Sequence, residues 1–206
     1  MLPHLHRLPA KLIRRLVRPY RSIGGFLSEG EAAECFRCTN RLPARATALE
    51  IGSWKGKSTY CLARGLHSGG RLHAIDPFDA AGEPASAGTY ARERLDRPLR
   101  EQFEENVSSL SDRIAIHQGY SQDFVGQFPA IHFLLIDGDH SVEGARFDFE
   151  KFSPQIVRGG WLAFHDYYPE RPDLGPTWVI ENLVKPDGRF REFIRADSLW
   201  VGQRIA

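Results

Sequence analysis

Two apolar runs in this sequence, FLLIDGDH at residues 133–140 and GGWLAFHD at residues 159–166, each end in charged or imidazole side chains. The residues concerned are Asp137, Asp139, His140, His165 and Asp166. Carboxylates and imidazoles are the groups that most often transfer protons in enzymes, and both also bind divalent cations. Asp and Gly are also ordinary turn residues, so a purely structural role in turns is the alternative to a functional role.

A second chemical signal is the segment ALEIGSWKGKSTYCLA at residues 48–63, which predicts a strand, a turn and the start of a helix. Gly52 and Gly56 allow close backbone approach in the turn, and the helix start offers free N–H groups to a ligand. The spacing does not match the G-x-G-x-x-G of dinucleotide-binding turns. An acid, Glu50, stands two residues before Gly52, which suits a cationic amino-acid ligand better than a phosphate.

The next predicted strand, RLHAID, ends in Asp76, which lies 26 positions after Glu50. Doubly wound nucleotide-binding proteins commonly place an acid there to hold the ribose hydroxyls. Nicotinamide enzymes share this feature, so Asp76 indicates a nucleoside without identifying it. The alternative is a capping Asp before Pro77.

The elements that position these residues alternate along the chain from residue 46, strand-like runs being followed by helical patterns. This alternation predicts an α/β fold with a mostly parallel, doubly wound, Rossmann-like sheet. The last two strand-like runs, near FREFIRA and SLWVGQRI, are too close for a helical crossover, so they predict an antiparallel hairpin at the C-terminus. In such a sheet, ligands bind beyond the carboxyl ends of the strands.

Composition indicates one globular domain, since 206 residues carry 42% hydrophobic and 26% charged residues. Of the 27 basic residues, six lie in residues 1–28, which contain no acid; the rest of the chain therefore has 21 basic residues against 26 acidic ones. This balance argues against a nucleic-acid-binding surface. We expect a basic N-terminal arm or helix at 1–28 and a single catalytic domain at 29–206.

The basic segment predicts an amphipathic helix for peripheral membrane contact or for a homo-oligomer, with a frayed arm as the alternative. No apolar run reaches the length of a signal peptide or membrane span, so we expect a cytoplasmic protein. Residues 79–98, rich in Gly, Ala and Pro and then in charge, predict a lid over the ligand or a surface loop. Cys35 and Cys38 predict packed, reduced thiols on one helix face rather than a zinc or redox site.

The runs LEIGSWKGKST, HAIDPF, IHQGYSQDF and LLIDGDHSVEGARFDFEKFSPQIVRGGWLAFHDY together resemble class I S-adenosylmethionine-dependent methyltransferases. The resemblance is to the bacterial small-molecule and sugar O-methyltransferases and covers residues 25–206. It implies a seven-stranded sheet and S-adenosylmethionine as cofactor. The cofactor-binding residues that it implies are Glu50, Gly52, Ser53, Ser58, Asp76, Ser121 and Asp137.

The same resemblance implies a divalent cation (Mg, Mn or Fe) bound by Asp137, His165 and Asp166. His165 departs from the two-acid or Asp-Asn pattern of these families, and an imidazole suits Mn²⁺ or Fe²⁺ better than Mg²⁺. We expect Asp137 and His140 to be catalytic, with His140 as general base towards a hydroxyl of a small-molecule or sugar acceptor.

Three other functions compete with methyl transfer. The D-G-D-H-S block also resembles cephalosporin hydroxylase-like proteins, which leaves a metal-dependent hydroxylase open. A nicotinamide-dependent dehydrogenase shares the fold but requires the missing glycine pattern. A non-catalytic binding module is the third alternative, and only failure to bind S-adenosylmethionine would favour it.

Overall fold

The computed structural model describes residues 8–80 and 97–206, and within them seven strands form one sheet. The strands are β1 (Thr47–Ile51), β2 (Arg71–Asp76), β3 (Ile114–Gln118), β4 (Ile131–Ile136), β5 (Ile156–Phe164), β6 (Phe190–Ala196) and β7 (Leu199–Arg204). Their order in the sheet is β3-β2-β1-β4-β5-β7-β6. Strands β1 to β5 run parallel to one another, whereas β7 pairs antiparallel with both β5 and β6. The predicted Rossmann-like sheet with a C-terminal antiparallel hairpin is therefore confirmed.

Helices cover both faces of this sheet. They are α1 (Ala10–Val17), α2 (Glu29–Asn40), α3 (Lys57–Gly65), α4 (Leu99–Val107), α5 (Val142–Phe152), α6 (Gly175–Val179) and α7 (Lys185–Asp187), with a π-helical turn (Ile180–Val184) joining the last two. Alternate strand residues point to opposite faces, so Ala48 belongs to the core under α1–α4 and Leu49 to the core under α5 and α6. None of the described helices has the length and apolar character needed to span a bilayer.

The N-terminal segment is packed against the domain from residue 8 onward. Ile13, Val17, Tyr20 and Ile23 are buried and belong to the same core as α2 and α3. The frayed-arm alternative therefore does not describe residues 8–28. A domain boundary at residue 28 and a membrane or oligomer contact through this segment stay predictions.

Helix α5 places its buried face on β4 and β5 because apolar residues recur at helical spacing. Ala145, Phe149 and Phe152 are buried on this face, and the Ser141 hydroxyl caps the first turn by accepting a hydrogen bond from Gly144 N. The helix ends at Phe152, directly before a short 3-10 turn that contains Pro154.

Two further predictions concern the periphery of the site. Cys35 and Cys38 are buried on α2, which confirms that they pack in the core, while their reduced state stays a prediction. Most of the predicted lid, residues 81–96, lies outside the described residues.

Candidate active site

A cavity of about 640 Å³ opens at the carboxyl edge of the sheet and is lined by residues that follow β1 to β5. The chain order of the strands reverses between β1 and β4 at this edge, where open α/β sheets bind their ligands. Among the described residues, seven carboxylates line the cavity against a single lysine, Lys57. The seven acids are Asp76, Asp79, Asp137, Asp139, Glu143, Asp148 and Asp166. This lining favours a ligand that carries positive charge.

The turn after β1 packs directly on the turn after β4. Gly52 has a φ of +86°, and a Cβ there would lie 2.0 Å from the carbonyl oxygen of Asp137, so no other residue fits without moving one strand end. Ser53 and Ser58 both line the cavity, and the buried Ser53 hydroxyl has no hydrogen-bond partner among the described residues. A buried hydroxyl without a partner is costly, so this corner is suited to a polar ligand.

Glu50 lies behind this turn rather than in the cavity lining. Its side chain is fully buried, and Oε2 accepts a 2.5 Å hydrogen bond from the Thr59 hydroxyl of α3. Oε1 has no hydrogen-bond partner in the described part of the chain. Burial raises the pKa of Glu50 to about 7, against the opposing effect of nearby hydroxyls. Glu50 therefore does not line the cavity itself, and it supports the turn after β1 that does.

Asp76 lines the cavity and also holds the turn after β1 in place. Its carboxylate accepts hydrogen bonds from the backbone N–H groups of Ser53, Trp54 and Phe78 at 2.9, 2.7 and 2.7 Å. Burial nevertheless raises the pKa of Asp76. The nearby Asp79 is exposed, lines the same part of the cavity and accepts a 2.7 Å hydrogen bond from the Tyr120 hydroxyl. Asp79 was not among the predicted site residues.

Ser121 opens the short 3-10 turn that follows β3, and it also lines the cavity. Its hydroxyl donates a 2.5 Å hydrogen bond to Oδ1 of Asp148, a buried acid of α5. The sequence interpretation also missed Asp148, although its position holds a signal. With Ala145 and Phe149 it forms an i, i+3, i+4 set, so a carboxylate stands on the apolar face of an amphipathic helix.

At the other end of the cavity, the residues after β4 and β5 converge as predicted from the sequence. Asp137, His140 and Asp166 each offer a ligand atom within 4.8 Å of the others. His140 Nε2 lies 3.6 Å from Asp137 Oδ1 and 3.3 Å from Asp166 Oδ2. Asp166 has a φ of +57°, a conformation uncommon for residues other than glycine, as is often found at functional sites.

Backbone hydrogen bonds beyond the strand ends hold this group in place. Asp137 N donates to Ile51 O at 2.8 Å and His165 N to Ile136 O at 3.3 Å, so the sheet ladder continues into the site. Gly175 N, in the first residue of α6, donates to His140 O at 2.8 Å. These three bonds hold the backbones of Asp137, His140 and His165, and Asp166 directly follows His165.

His165 is the most deeply placed of these polar residues. Its Nδ1 lies 3.2 Å from Asp137 Oδ1 and 3.5 Å from Asp166 Oδ2, while its Nε2 lies 3.5 Å from the carboxylate of Glu31. Glu31 is buried on α2 and also accepts hydrogen bonds from Ser198 N and Oγ at 2.9 and 2.7 Å. His165 therefore lies between two carboxylates from different elements.

The pKa values at this end follow from those contacts. Burial alone would raise the pKa of Asp137, but the charge of His165 and hydrogen bonds from His140 and His165 lower it to about 2. Burial alone would lower the pKa of His165, but Asp137 and hydrogen bonds to Asp166 and Glu31 raise it well above its usual range. The fifth predicted polar residue, Asp139, accepts a 2.7 Å hydrogen bond from Ser141 N and thereby shapes the turn before α5.

Comparison with known proteins assigns the fold and site to a family. The sequence model of a family described as a methyltransferase domain matches residues 49–167, more than half of the 206-residue chain. The chain belongs to this methyltransferase family. It is an S-adenosylmethionine-dependent methyltransferase, as the resemblance implied.

Solved structures of three O-methyltransferases share the fold at low sequence identity. NovP has a TM-score of 0.70 at 15% identity, covering 96% of this chain and 100% of its own. An enzyme from Bacillus cereus, in complex with SAH, has a TM-score of 0.66 at 16% identity, covering 100% and 94%. TomG from Streptomyces achromogenes, involved in tomaymycin synthesis and in complex with SAM, has a TM-score of 0.63 at 15% identity, covering 100% and 93%.

The cavity itself fits S-adenosylmethionine, a cationic nucleoside. Its acidic lining matches the sulfonium and ammonium charges, and the unpartnered Ser53 hydroxyl offers a polar contact. The same lining would repel the pyrophosphate of a nicotinamide cofactor. A dehydrogenase is therefore not favoured, nor is the hydroxylase alternative, given the family match.

Proposed function

We propose that this enzyme transfers the methyl group of S-adenosylmethionine to a hydroxyl oxygen of a small molecule or sugar. The observation that carries the proposal is the convergence of Asp137, His140 and Asp166 at the β4–β5 end of a cavity whose other end suits a nucleoside. The structural similarity to the O-methyltransferases NovP, TomG and the Bacillus cereus enzyme supports it.

S-adenosylmethionine supplies an electrophilic methyl group: the acceptor oxygen forms the new C–O bond while the S–C bond breaks, leaving S-adenosylhomocysteine. The protein must align the two reacting atoms and remove the hydroxyl proton. His140 is the proposed proton acceptor, because it lines the cavity and the carboxylates of Asp137 and Asp166, 3.6 and 3.3 Å from its Nε2, would stabilise the imidazolium formed. His165 is less suited, because its two ring nitrogens face Asp137 and Glu31.

We further propose that Asp137 and Asp166 hold a divalent cation. The carboxylate oxygens of these two acids suit Mn²⁺, Fe²⁺ or Mg²⁺, and such a cation would lower the pKa of the acceptor hydroxyl. His165 was predicted as a third ligand, and this role stays a prediction. Its position between Glu31 and Asp137 suggests that it orients Asp137 instead.

The proposed function is tested with S-adenosylmethionine carrying a ¹³C-labelled methyl group and a panel of hydroxylated sugars and aromatic alcohols. NMR of the product should place the label on an ether carbon. Label bonded to nitrogen or carbon in the product would contradict O-methylation. Chelation before the assay tests the cation separately, since unchanged transfer after chelation would remove the metal from the proposal.

A further inference from the structure

The basic N-terminal segment is a feature that the proposed methyl transfer does not use. Its apolar side is already occupied, because Ile13, Val17, Tyr20 and Ile23 are buried in the core shared with α2 and α3. These side chains face the domain, so the segment is not free to insert its apolar stripe into a bilayer as an isolated amphipathic helix does. Any partner of this segment must therefore contact its outer side.

The outer side of the segment is strongly basic. The exposed basic side chains of α1 and of the 3-10 turn that follows it (Arg18–Ser22) form a surface that we call the basic face, made up of Lys11, Arg14, Arg15, Arg18 and Arg21. The sequence has no acid before Glu29, whose carboxylate lies 3.0 Å from Arg14 Nε and 2.5 Å from Arg21 Nη2. Arg15 and Arg18 border a surface hollow that is lined by no acid, and neither has an acidic partner in the described part of the chain. The basic face therefore keeps most of its positive charge.

Two exposed apolar side chains lie within the same segment. Leu12 on α1 is 40% exposed, and Phe26, in the loop before α2, is 57% exposed. Phe26 also lines the mouth of the cavity. The loop is held there by Lys57, another cavity residue, whose ammonium donates a 2.9 Å hydrogen bond to Gly25 O. The same ammonium lies 5.5 Å from the centre of the Tyr20 ring, so the basic face is fixed beside the cavity mouth.

Basic charge combined with exposed apolar side chains matches the surface of an anionic lipid bilayer. Clusters of Lys and Arg attract anionic headgroups, and a protruding apolar side chain inserts at the boundary with the acyl chains. Nucleic acid fits less well, because Phe26 and Leu12 offer it no polar contact. A polyanion that extended from the basic face across the cavity mouth would also meet the carboxylates that line it. A bilayer is flat and contacts only the outermost side chains.

We propose that the basic face, together with Leu12 and Phe26, docks this protein on an anionic phospholipid bilayer and thereby holds the cavity mouth at the membrane surface. The docking is electrostatic at long range and apolar at contact. It therefore requires anionic lipid and weakens with salt, and it depends on Arg15 and Arg18 in particular because no acid of the described chain neutralises them.

Co-sedimentation of the full chain with lipid vesicles tests the proposal. Vesicles of equal parts phosphatidylcholine and phosphatidylglycerol should bind the wild type at about 0.15 M ionic strength and release it at about 1 M, where the screening length falls to about 3 Å. Vesicles of phosphatidylcholine alone should bind it much more weakly. Arg15→Gln combined with Arg18→Gln should lower the partition coefficient by about 25-fold, since each charge near an anionic surface contributes about fivefold.

Two matched controls separate the basic face from charge and apolar exposure in general. Arg158→Gln combined with Arg191→Gln removes the same charge from exposed positions on β5 and β6, and it should change the partition coefficient by less than about twofold. Phe26→Ala should lower the partition coefficient by up to about tenfold, the effect of one partly inserted aromatic ring. Phe193→Ala, which removes another exposed ring from β6, should leave it unchanged.

The other partners of this face are distinguished by the same variants. An equal loss in the two arginine double variants, or binding that does not depend on phosphatidylglycerol, would overturn the proposal. Binding of duplex DNA in preference to vesicles, or a change in oligomeric state as the only effect of the Arg15 and Arg18 substitutions, would also overturn it. Calorimetry with S-adenosylhomocysteine checks that each variant is folded. A wild type that binds vesicles but not S-adenosylhomocysteine would contradict the proposed function and leave the docking surface supported.

Discussion

The two ends of the cavity use the same residue types in opposite electrostatic states. At the nucleoside end, Asp76 and Asp148 are buried without a cationic partner, and burial raises the pKa of both. At the transfer end, Asp137 is half-buried, and His140 and His165 lower its pKa to about 2. The first end therefore depends on a ligand to supply donors, whereas the second end already balances its own charge.

This difference separates binding from chemistry, and substitutions at each end should affect one without the other. Acids at the nucleoside end are expected to control affinity and pH-dependent stability. Acids and imidazoles at the transfer end are expected to control the rate of methyl transfer.

The largest effect is expected from Asp137→Asn. Removing this charge leaves His140 and His165 without their shared carboxylate, so methyl transfer should fall by about 10²–10³-fold, as when a preorganised electrostatic group is removed from other enzymes. Affinity for S-adenosylhomocysteine should change by less than about threefold, a small fraction of a charged hydrogen bond. Single-turnover rates and calorimetry measure the two quantities. Asp112→Asn, on the exposed surface, is the matched control, and an equal loss of affinity and rate in Asp137→Asn would contradict the division.

The next largest effect is expected at His140. If His140 is the base, removing it should slow methyl transfer without weakening cation binding. His140→Ala should slow methyl transfer by about 10²-fold, the lower end of general-base contributions. Mn²⁺ affinity, measured by calorimetry, should stay near that of the wild type, because Asp137 and Asp166 remain. Lost Mn²⁺ binding would make His140 a ligand, which the 4.8 Å grouping of the three residues also allows.

His165→Ala provides the comparison for that measurement. If His165 orients Asp137 from its position beside Glu31, its removal should lower the affinity for Mn²⁺ by about tenfold, as is typical for groups that position a metal ligand. Abolished Mn²⁺ binding would instead support the direct ligand role predicted from the sequence.

A smaller effect, on stability, is expected at the nucleoside end. The pKa of Asp148 is about 7 in the folded protein and near 3.8 when unfolded, so the folded state binds the proton more tightly. The free energy of unfolding should therefore fall as pH rises from about 4 to 7 and level off above 7. Asp148→Asn should remove the part of this decrease that Asp148 causes and leave the part due to Glu50, whose pKa is also raised to about 7. The variant should be more stable than the wild type at pH 8, by on the order of 2 kcal/mol. Urea unfolding at pH 5 and pH 8 checks this, and identical pH profiles would show that Asp148 is not destabilised by burial.

The sequence was sufficient to predict the sheet and the edge at which the site lies. Strand and helix periodicity is local, and the carboxyl ends of parallel strands meet at one edge of a sheet. The sequence alone therefore predicts that Asp76, Asp137 and Asp166 lie at that edge. Side-chain partners are not local. Glu31 lies on a helix more than a hundred residues before His165, and no pattern within α2 indicates that contact.

Glycine and acid patterns were also chemically ambiguous in the sequence. Gly52 lines the cavity and also lies against the backbone of Asp137. Glu50 lies behind the turn, and its predicted role in cofactor binding stays a prediction. Both residues depend on how two distant turns pack, which hydrophobic periodicity does not encode.

The smallest expected effect distinguishes the two acids after β2. Asp76 accepts hydrogen bonds from three backbone N–H groups. Asp76→Asn should therefore destabilise the turn after β1 by about 1–2 kcal/mol and also weaken cofactor binding. Asp79 is exposed and accepts a hydrogen bond from the Tyr120 hydroxyl, so Asp79→Asn should lower the melting temperature less than Asp76→Asn does. It should weaken the binding of S-adenosylhomocysteine by only about threefold, the effect of one solvent-accessible hydrogen bond. Replacing the ribose of the ligand with its 2′-deoxy form should abolish the difference between wild type and Asp79→Asn if Asp79 contacts that hydroxyl. An undiminished difference with the deoxy ligand would assign the 2′-hydroxyl to Asp76, whose carboxylate still has room for one further donor beside the three backbone groups.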